Sequence, residues 1–506
     1  MKRATSLFYN FLILTGTSLL LQTASLLFRA WFARKLGAEG LGLFQLTVSV
    51  SVLGVTLATS GIRLTATRLV AEELGAHRPD GARAAVRSCM VYALVFGLGA
   101  MTLLNLGAAR IGADILHDDR TVLSLRIFAF SLPFFSLSSV LSGYLIAAHR
   151  APAAAASEIA EKVTEVGCGA VLLRLWLPLG HEYACAAIVL GSALGKAACC
   201  LLLLILCRGN RVWSGAPNAA PELVRRMFRI AVPLALGAYL SAVFRAVEQL
   251  LIPYGLKKSG SSAAAALSAF GVIHGMVLPL LFFPAFWLGA VLELILPELA
   301  GSLEAGHTRR LNHIVDRMFR IGLLFSMCVM WVFLRFSSEL GQFVYHSADA
   351  GTLIRAMASL TPFFYLDLIV DMILKGIGQQ VSTVKHNLLT SMLSVLALYL
   401  LLPRYGIAGY LLTAYVTKIL NFILSFGRLA KVTDLSVSMA GVVKSILAII
   451  AATGLADLLT GLMPTAATPA SVLSQILLVV FLYLFFLRAM DCINGEDVRW
   501  GRSLLR

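Results

Sequence analysis

Leu201-Leu-Leu-Leu-Ile-Leu206 is one of a long series of continuously apolar runs in this chain, and these runs restrict the fold more than any other feature. Nearly every segment between turn signals is long enough to cross a bilayer, which takes about 20 consecutive apolar residues. Without water, each backbone amide must pair inside its own helix or within a closed barrel. Barrel strands alternate polar and apolar residues, and these runs do not. The pattern predicts an all-α polytopic membrane protein. Composition agrees: 59% of the 506 residues are hydrophobic and 13% are charged, against about 45–50% and about 25% in a soluble domain.

Apolar runs and turn signals predict about fourteen transmembrane helices. They divide into a first lobe over 1–207, a basic linker over 208–229 and a second lobe over 230–430. Two further helices lie within 431–490, and a polar tail covers 491–506. The first run follows Met1-Lys2-Arg3 and has no small-residue cleavage site, so it reads as a retained helix. The net charge of +16 does not signal nucleic acid, because Lys and Arg gather at segment ends. Lys2, Arg3, Arg83, Arg87, Arg150, Lys162, Arg225, Arg226 and Arg309 fall in alternate loops. That side is expected to be cytoplasmic, with both termini on it.

The chain repeats itself. Phe28-Arg29-Ala30 recurs as Phe244-Arg245-Ala246, Pro133-Phe-Phe135 as Pro362-Phe-Phe364, and the loop from Ala71 as the loop from Ala300. The longer interval of the later matches places an insertion at Lys257–Ala266. Six helices per lobe give both lobes the same polarity in the membrane, a parallel repeat that is expected to form a V around a central cavity.

Ionisable residues inside spans are costly and mark function by default, at about 2.5–3.5 kcal/mol each on insertion scales. The first lobe offers Arg29, Arg63, Arg68 and Lys196. The second offers Arg245, Glu248, Asp367, Asp371 and Lys418, the last mirroring Lys196. Arg29, Arg245 and either Arg63 or Arg68 are the expected substrate-binding residues. A guanidinium fork binds phosphate bidentately and stays charged at every relevant pH, so several of them suit a diphosphate. Glu248, Lys196, Lys418, Asp367 and Asp371 are candidates for cavity or ion-coupling roles. Pro279 and Pro284 are expected to bend the eighth span.

No enzyme signature is present: no Walker motif, no H-E-x-x-H and no G-x-S-x-G. The eight cysteines form no C-x-x-C pair and read as small buried hydrophobes. No metal and no cofactor is expected. A Na⁺ or H⁺ gradient or the membrane potential is the candidate driving force.

Leu251-Ile-Pro-Tyr-Gly-Leu-Lys-Lys-Ser-Gly-Ser-Ser262 resembles the stage V sporulation protein B group of polysaccharide-type flippases. Gly271-Val-Ile-His-Gly-Met-Val-Leu-Pro-Leu280 and Thr59-Ser-Gly-Ile-Arg-Leu-Thr-Ala-Thr-Arg-Leu-Val-Ala-Glu-Glu73 are similar to it too. The group belongs to the multidrug/oligosaccharidyl-lipid/polysaccharide exporter superfamily. The resemblance implies export of undecaprenyl-diphosphate-linked oligosaccharide across the bacterial plasma membrane. Alternating access by a monomer in the bilayer is expected. Related lipid II flippases place an arginine before a Leu-x-Ala-Glu run, which looks like Arg68-Leu-Val-Ala-Glu72. They carry an acidic residue directly after the first-span arginine, where this chain has Ala30. The alternative is a Na⁺- or H⁺-coupled multidrug or metabolite exporter of the same fold, with Asp367, Asp371, Glu248 or Glu293 central. A membrane glycosyl polymerase is disfavoured, because no long extracytoplasmic loop is present.

Overall fold

The computed structural model describes residues 2–208, 221–433, 439–461 and 468–492. The linker stretch 209–220, the tail from 493 onward and the side chains of Lys2, Arg3 and Glu293 lie outside the described residues. The described residues are helical, with no strand among them.

The order is α1 (Lys2–Thr59), α2 (Ile62–Gly75), α3 (Pro79–Arg110), α4 (Val122–Ala129), α5 (Leu132–Ala147), α6 (Ala151–Trp176), α7 (His181–Arg208), α8 (Pro221–Lys258) and α9 (Ala263–Gly271). Then come α10 (Leu278–Glu304), α11 (Thr308–Arg335), α12 (Ser337–Tyr345), α13 (Ala348–Ala358), α14 (Thr361–Gly376), α15 (Gln380–Val432), α16 (Met439–Gly461) and α17 (Pro469–Ala489). Pro79, Pro133, Pro152, Pro279, Pro362 and Pro469 each occupy a first helical turn. There the missing N–H has no intrahelical partner to lose.

Nine helices among the described residues are long and apolar enough to cross a membrane, or eleven if each bent pair is one span. Two of the nine, Gly16–Gly75 at 60 residues and Gln380–Val432 at 53, are far longer than the 20 or so residues one crossing needs. A glycine interrupts each. Gly37 in α1 has φ 71° and ψ 179°, and Gly406 in α15 has φ 56° and ψ −133°. An L side chain strongly disfavours both conformations, and glycine does not. These merged elements account for much of the gap to the count of about fourteen.

The backbone repeats where the sequence does. The pairs Asp119–Ala129 with Leu132–Ala147, and Ala348–Ala358 with Thr361–Gly376, bend by 41° and 59°. The bends fall at the matching Pro133 and Pro362. Left-handed residues recur at the same interval: His77 with Gly306, His117 with His346, and His149 with Gly378. In the eighth span the irregularity is a π-helical segment at Val272–Val277, ahead of the expected bend. Pro279 then starts α10.

Packing divides the chain into two units, residues 1–275 with 398–404, and residues 276–397 with 405–506. The division falls after α9, not at the linker, so α8 and α9 pack within the first unit. One core of that unit joins α2 and α3 to the start of α8 through Ile62, Leu69, Val86, Leu223, Met227 and Ala231. The second unit has a core of Leu324, Cys328, Ala448, Ala452, Val479 and Tyr483 from α11, α16 and α17. The Tyr483 hydroxyl sits 2.6 Å from Ser445 Oγ and donates to the Leu324 carbonyl at 3.0 Å. All eight cysteines are free and seven are buried.

Candidate functional site

Helix α6 is long enough to span a bilayer, but it carries Glu158, Glu161, Lys162 and Glu165. The glutamates stand at i, i+3 and i+7, which places them on one face of a helix. A charged face within a membrane protein needs partners, and α2, α5 and α7 supply them.

Helix α7 approaches α6 through Gly191-Ser-Ala-Leu-Gly195, a small-xxx-small pattern that lets two backbones close in. A Cβ on Gly191 would stand 2.7 Å from Gly169 Cα of α6, and one on Gly195 would stand 2.7 Å from the Glu161 carbonyl oxygen. This approach sets Lys196 beside Glu161, with Nζ donating to Oε2 at 2.5 Å. The ammonium also lies 4.7 Å from the centroid of the Phe135 ring of α5, a favourable cation–π position. On α6 itself, Lys162 Nζ donates to Glu165 at 2.7 Å. Gly195→Ala is expected to force α6 and α7 apart and to cost about 1–3 kcal/mol of stability. Gly167→Ala on α6, whose Cβ meets open space, is expected to be neutral or stabilising by helix propensity. Thermal melting of the two variants in detergent checks the opposite signs.

Arg63 enters from α2. Its Nη2 donates to Ser142 Oγ of α5 at 3.3 Å and lies 3.6 Å from Glu158 Oε1. Both contacts are long, and the Arg63 side chain is 53% exposed. The Lys196 and Glu161 side chains are 14% and 22% exposed. Arg63 therefore stands at the mouth, and the Lys196–Glu161 pair at the floor, of one polar cavity of about 270 Å³. Ser138, Ser139, Ser142 and Ser157 complete its polar wall.

Arg68 stands elsewhere. It donates to Glu72 one turn along α2 at 2.9 Å, and Arg226 of α8 bonds Glu72 at 2.5 Å and Glu73 at 3.1 Å. This cluster ties the end of α2 to the start of α8. Arg29 and Arg245 are both exposed, on α1 and α8 of the same unit, each with a buried alanine directly after it. Neither lines the cavity that holds Arg63. Glu248 is half-buried on α8.

The second unit holds Asp367, Asp371 and Lys418. Asn421 donates to Asp367 at 2.8 Å and accepts from Thr390 at 3.0 Å. Asp371 accepts from Asn387 at 3.4 Å and lies 4.0 Å from Lys375. Lys418 is exposed, whereas its counterpart Lys196 is paired.

One expectation changes. Lys162, counted as a loop charge, lies inside α6 and lines the cavity. The cavity around Arg63 is not simply basic, because Arg63, Lys162 and Lys196 face Glu158 and Glu161. The three glutamates of α6 were legible in the sequence as an i, i+3, i+7 set, but loop-charge counting passed over them. Among the described residues no group of three or more His, Cys, Asp or Glu is placed to hold a metal ion.

Residues 7–286 match the family described as polysaccharide biosynthesis protein. Stage V sporulation protein B of Bacillus subtilis (strain 168) is 22% identical over 440 residues, covering 85% of this chain and 84% of the relative. Two solved structures share the fold. The lipid II flippase MurJ superposes with a TM-score of 0.71 at 12% identity, over 98% of this chain and 100% of that one. A multidrug resistance MATE family transporter of the MOP superfamily superposes with a TM-score of 0.63 at 14% identity, over 82% and 96%.

Proposed function

This chain belongs to the polysaccharide biosynthesis protein family, and from that premise we propose that it is a flippase for undecaprenyl-diphosphate-linked oligosaccharide. It takes the glycan head group from the cytoplasmic face of the bacterial plasma membrane and releases it outside by alternating access. The lipid tail stays in the bilayer. The excess of basic residues in alternate loops supports cytoplasmic placement of both termini. The chain works as a transporter rather than an enzyme, and needs no cofactor beyond an ion gradient or the membrane potential.

The observation that carries the reading is Arg63. It is a guanidinium on a membrane-embedded helix, at the mouth of a polar cavity, held among the described residues by two long contacts. A charge so placed is costly unless it has work to do. A diphosphate offers it short, bidentate, charge-assisted bonds in place of long ones. Arg29 and Arg245, exposed on neighbouring elements of the sequence repeat, supply further donors. The named activity of the flippase that shares this fold indicates one cargo of this class, and the sporulation relative indicates one setting.

Depletion of the protein in its native host, followed by extraction of membrane lipids, tests the proposal. One lipid-diphosphate-linked glycan is expected to accumulate severalfold, and its sugar identifies the cargo. An unchanged pool of such lipids under full depletion overturns the reading.

A further inference from the structure

We infer that the open cavity lined by α1, α2, α5, α6 and α7 is a subsite for a neutral pyranose ring, the sugar attached directly to the diphosphate. This rests on the proposed flippase function and names a part of the substrate that the arginines alone do not recognise.

The first argument is charge. A phosphate subsite would present an excess of cationic donors. Here, on the floor beyond Arg63, Lys196 is already matched by Glu161 and Lys162 by Glu165. A second phosphate placed on this floor would meet the Glu158 and Glu161 carboxylates. A neutral group that both donates and accepts hydrogen bonds meets no such repulsion.

The second argument is the inventory of donors and acceptors. Ser139 and Ser157 donate their hydroxyl protons to backbone carbonyls at 2.8 and 2.7 Å, which leaves each to act as an acceptor. Ser142 accepts from Arg63 and keeps its own O–H to donate. The carboxylates of Glu158 and Glu161 accept only, and the ammoniums of Lys162 and Lys196 donate only. A wall that alternates donors and acceptors over a short distance matches adjacent hydroxyls on a sugar ring, each of which does both.

The third argument is size. A volume of about 270 Å³ falls just below the 300–1,000 Å³ or so of drug-sized ligand sites. That suits one ring and excludes an oligosaccharide. The exposure gradient sets the order: diphosphate at Arg63 in the mouth, first sugar toward Lys196 and Glu161 at the floor.

The test uses full-length protein in detergent and two soluble probes, farnesyl diphosphate and farnesyl diphosphate carrying one N-acetylglucosamine. Binding is read by calorimetry. Wild type is expected to bind the sugar-bearing probe about tenfold more tightly than the bare one, the gain from one or two charge-assisted hydrogen bonds. Glu161→Gln and Ser142→Ala are each expected to bring that ratio toward one. If Glu161→Gln unfolds, shown by its melting curve, Ser142→Ala carries the test alone. Equal affinity of wild type for the two probes overturns the subsite and leaves the diphosphate reading standing, as does an unchanged ratio in Ser142→Ala. Failure of wild type to bind either probe overturns both.

Discussion

Arg63→Ala is expected to abolish complementation of a strain that lacks its own flippase, while the protein still reaches the membrane in normal amount. The variant removes every guanidinium donor at the mouth of the polar cavity. Two charge-assisted hydrogen bonds lost at about 1.5–3 kcal/mol each correspond to at least a hundredfold or so in affinity. Arg63→Lys keeps the charge but not the fork, so it is expected to retain partial function. Arg68→Ala is the informative comparison. Its side chain is 68% exposed and pairs with Glu72 on its own helix, an arrangement worth about 0–1 kcal/mol. Growth close to wild type is expected from it. Complementation scored beside membrane abundance by immunoblot decides between the two arginines. Full growth with Arg63→Ala, or lost growth with Arg68→Ala at normal abundance, contradicts the assignment.

Gly42→Ala is expected to destabilise the first unit by about 3 kcal/mol, the upper end of the cost of overpacking. At this point α1 crosses α9 backbone to backbone. A Cβ on Gly42 would stand 2.0 Å from the Leu267 carbonyl oxygen, and one on Gly271 would stand 2.2 Å from the Ala38 carbonyl oxygen. Neither obstacle is a flexible side-chain tip that can swing aside, so the helices themselves must separate. Without a hydrophobic force between helices in lipid, close backbone packing carries much of the association energy. A large fall in the melting midpoint and in membrane yield is expected, with Gly289→Ala on α10, which meets open space, as the neutral control. An unshifted midpoint in Gly42→Ala would mean that α1 and α9 pack otherwise.

Much of the fold was legible in the amino-acid order, because a bilayer admits so few solutions. Runs without polar alternation can only be helices there, and prolines mark where those helices begin. The repeated Pro133-Phe-Phe135 and Pro362-Phe-Phe364 marked corresponding places in the two halves, and the backbone bends at both. Arg63 was legible as a charge in an apolar span, and so was Lys196. What they touch was not. Arg63 and Arg68 are five residues apart on one helix, and cost alone does not separate them. Only the neighbours contributed by α5, α6 and α8 assign one to a polar cavity and the other to an ion-pair cluster with Arg226. Likewise the mixed sign of this cavity was not legible, since the glutamates that face Arg63 lie about a hundred residues away on α6. The sequence by itself determined that this chain spans a membrane as repeated helices bearing costly charges, because hydrocarbon enforces that locally, residue by residue. Which charge meets which was decided by tertiary structure alone, through the glycines of α7 that let two helices come within bonding distance, and contact across helices is a property no single segment encodes.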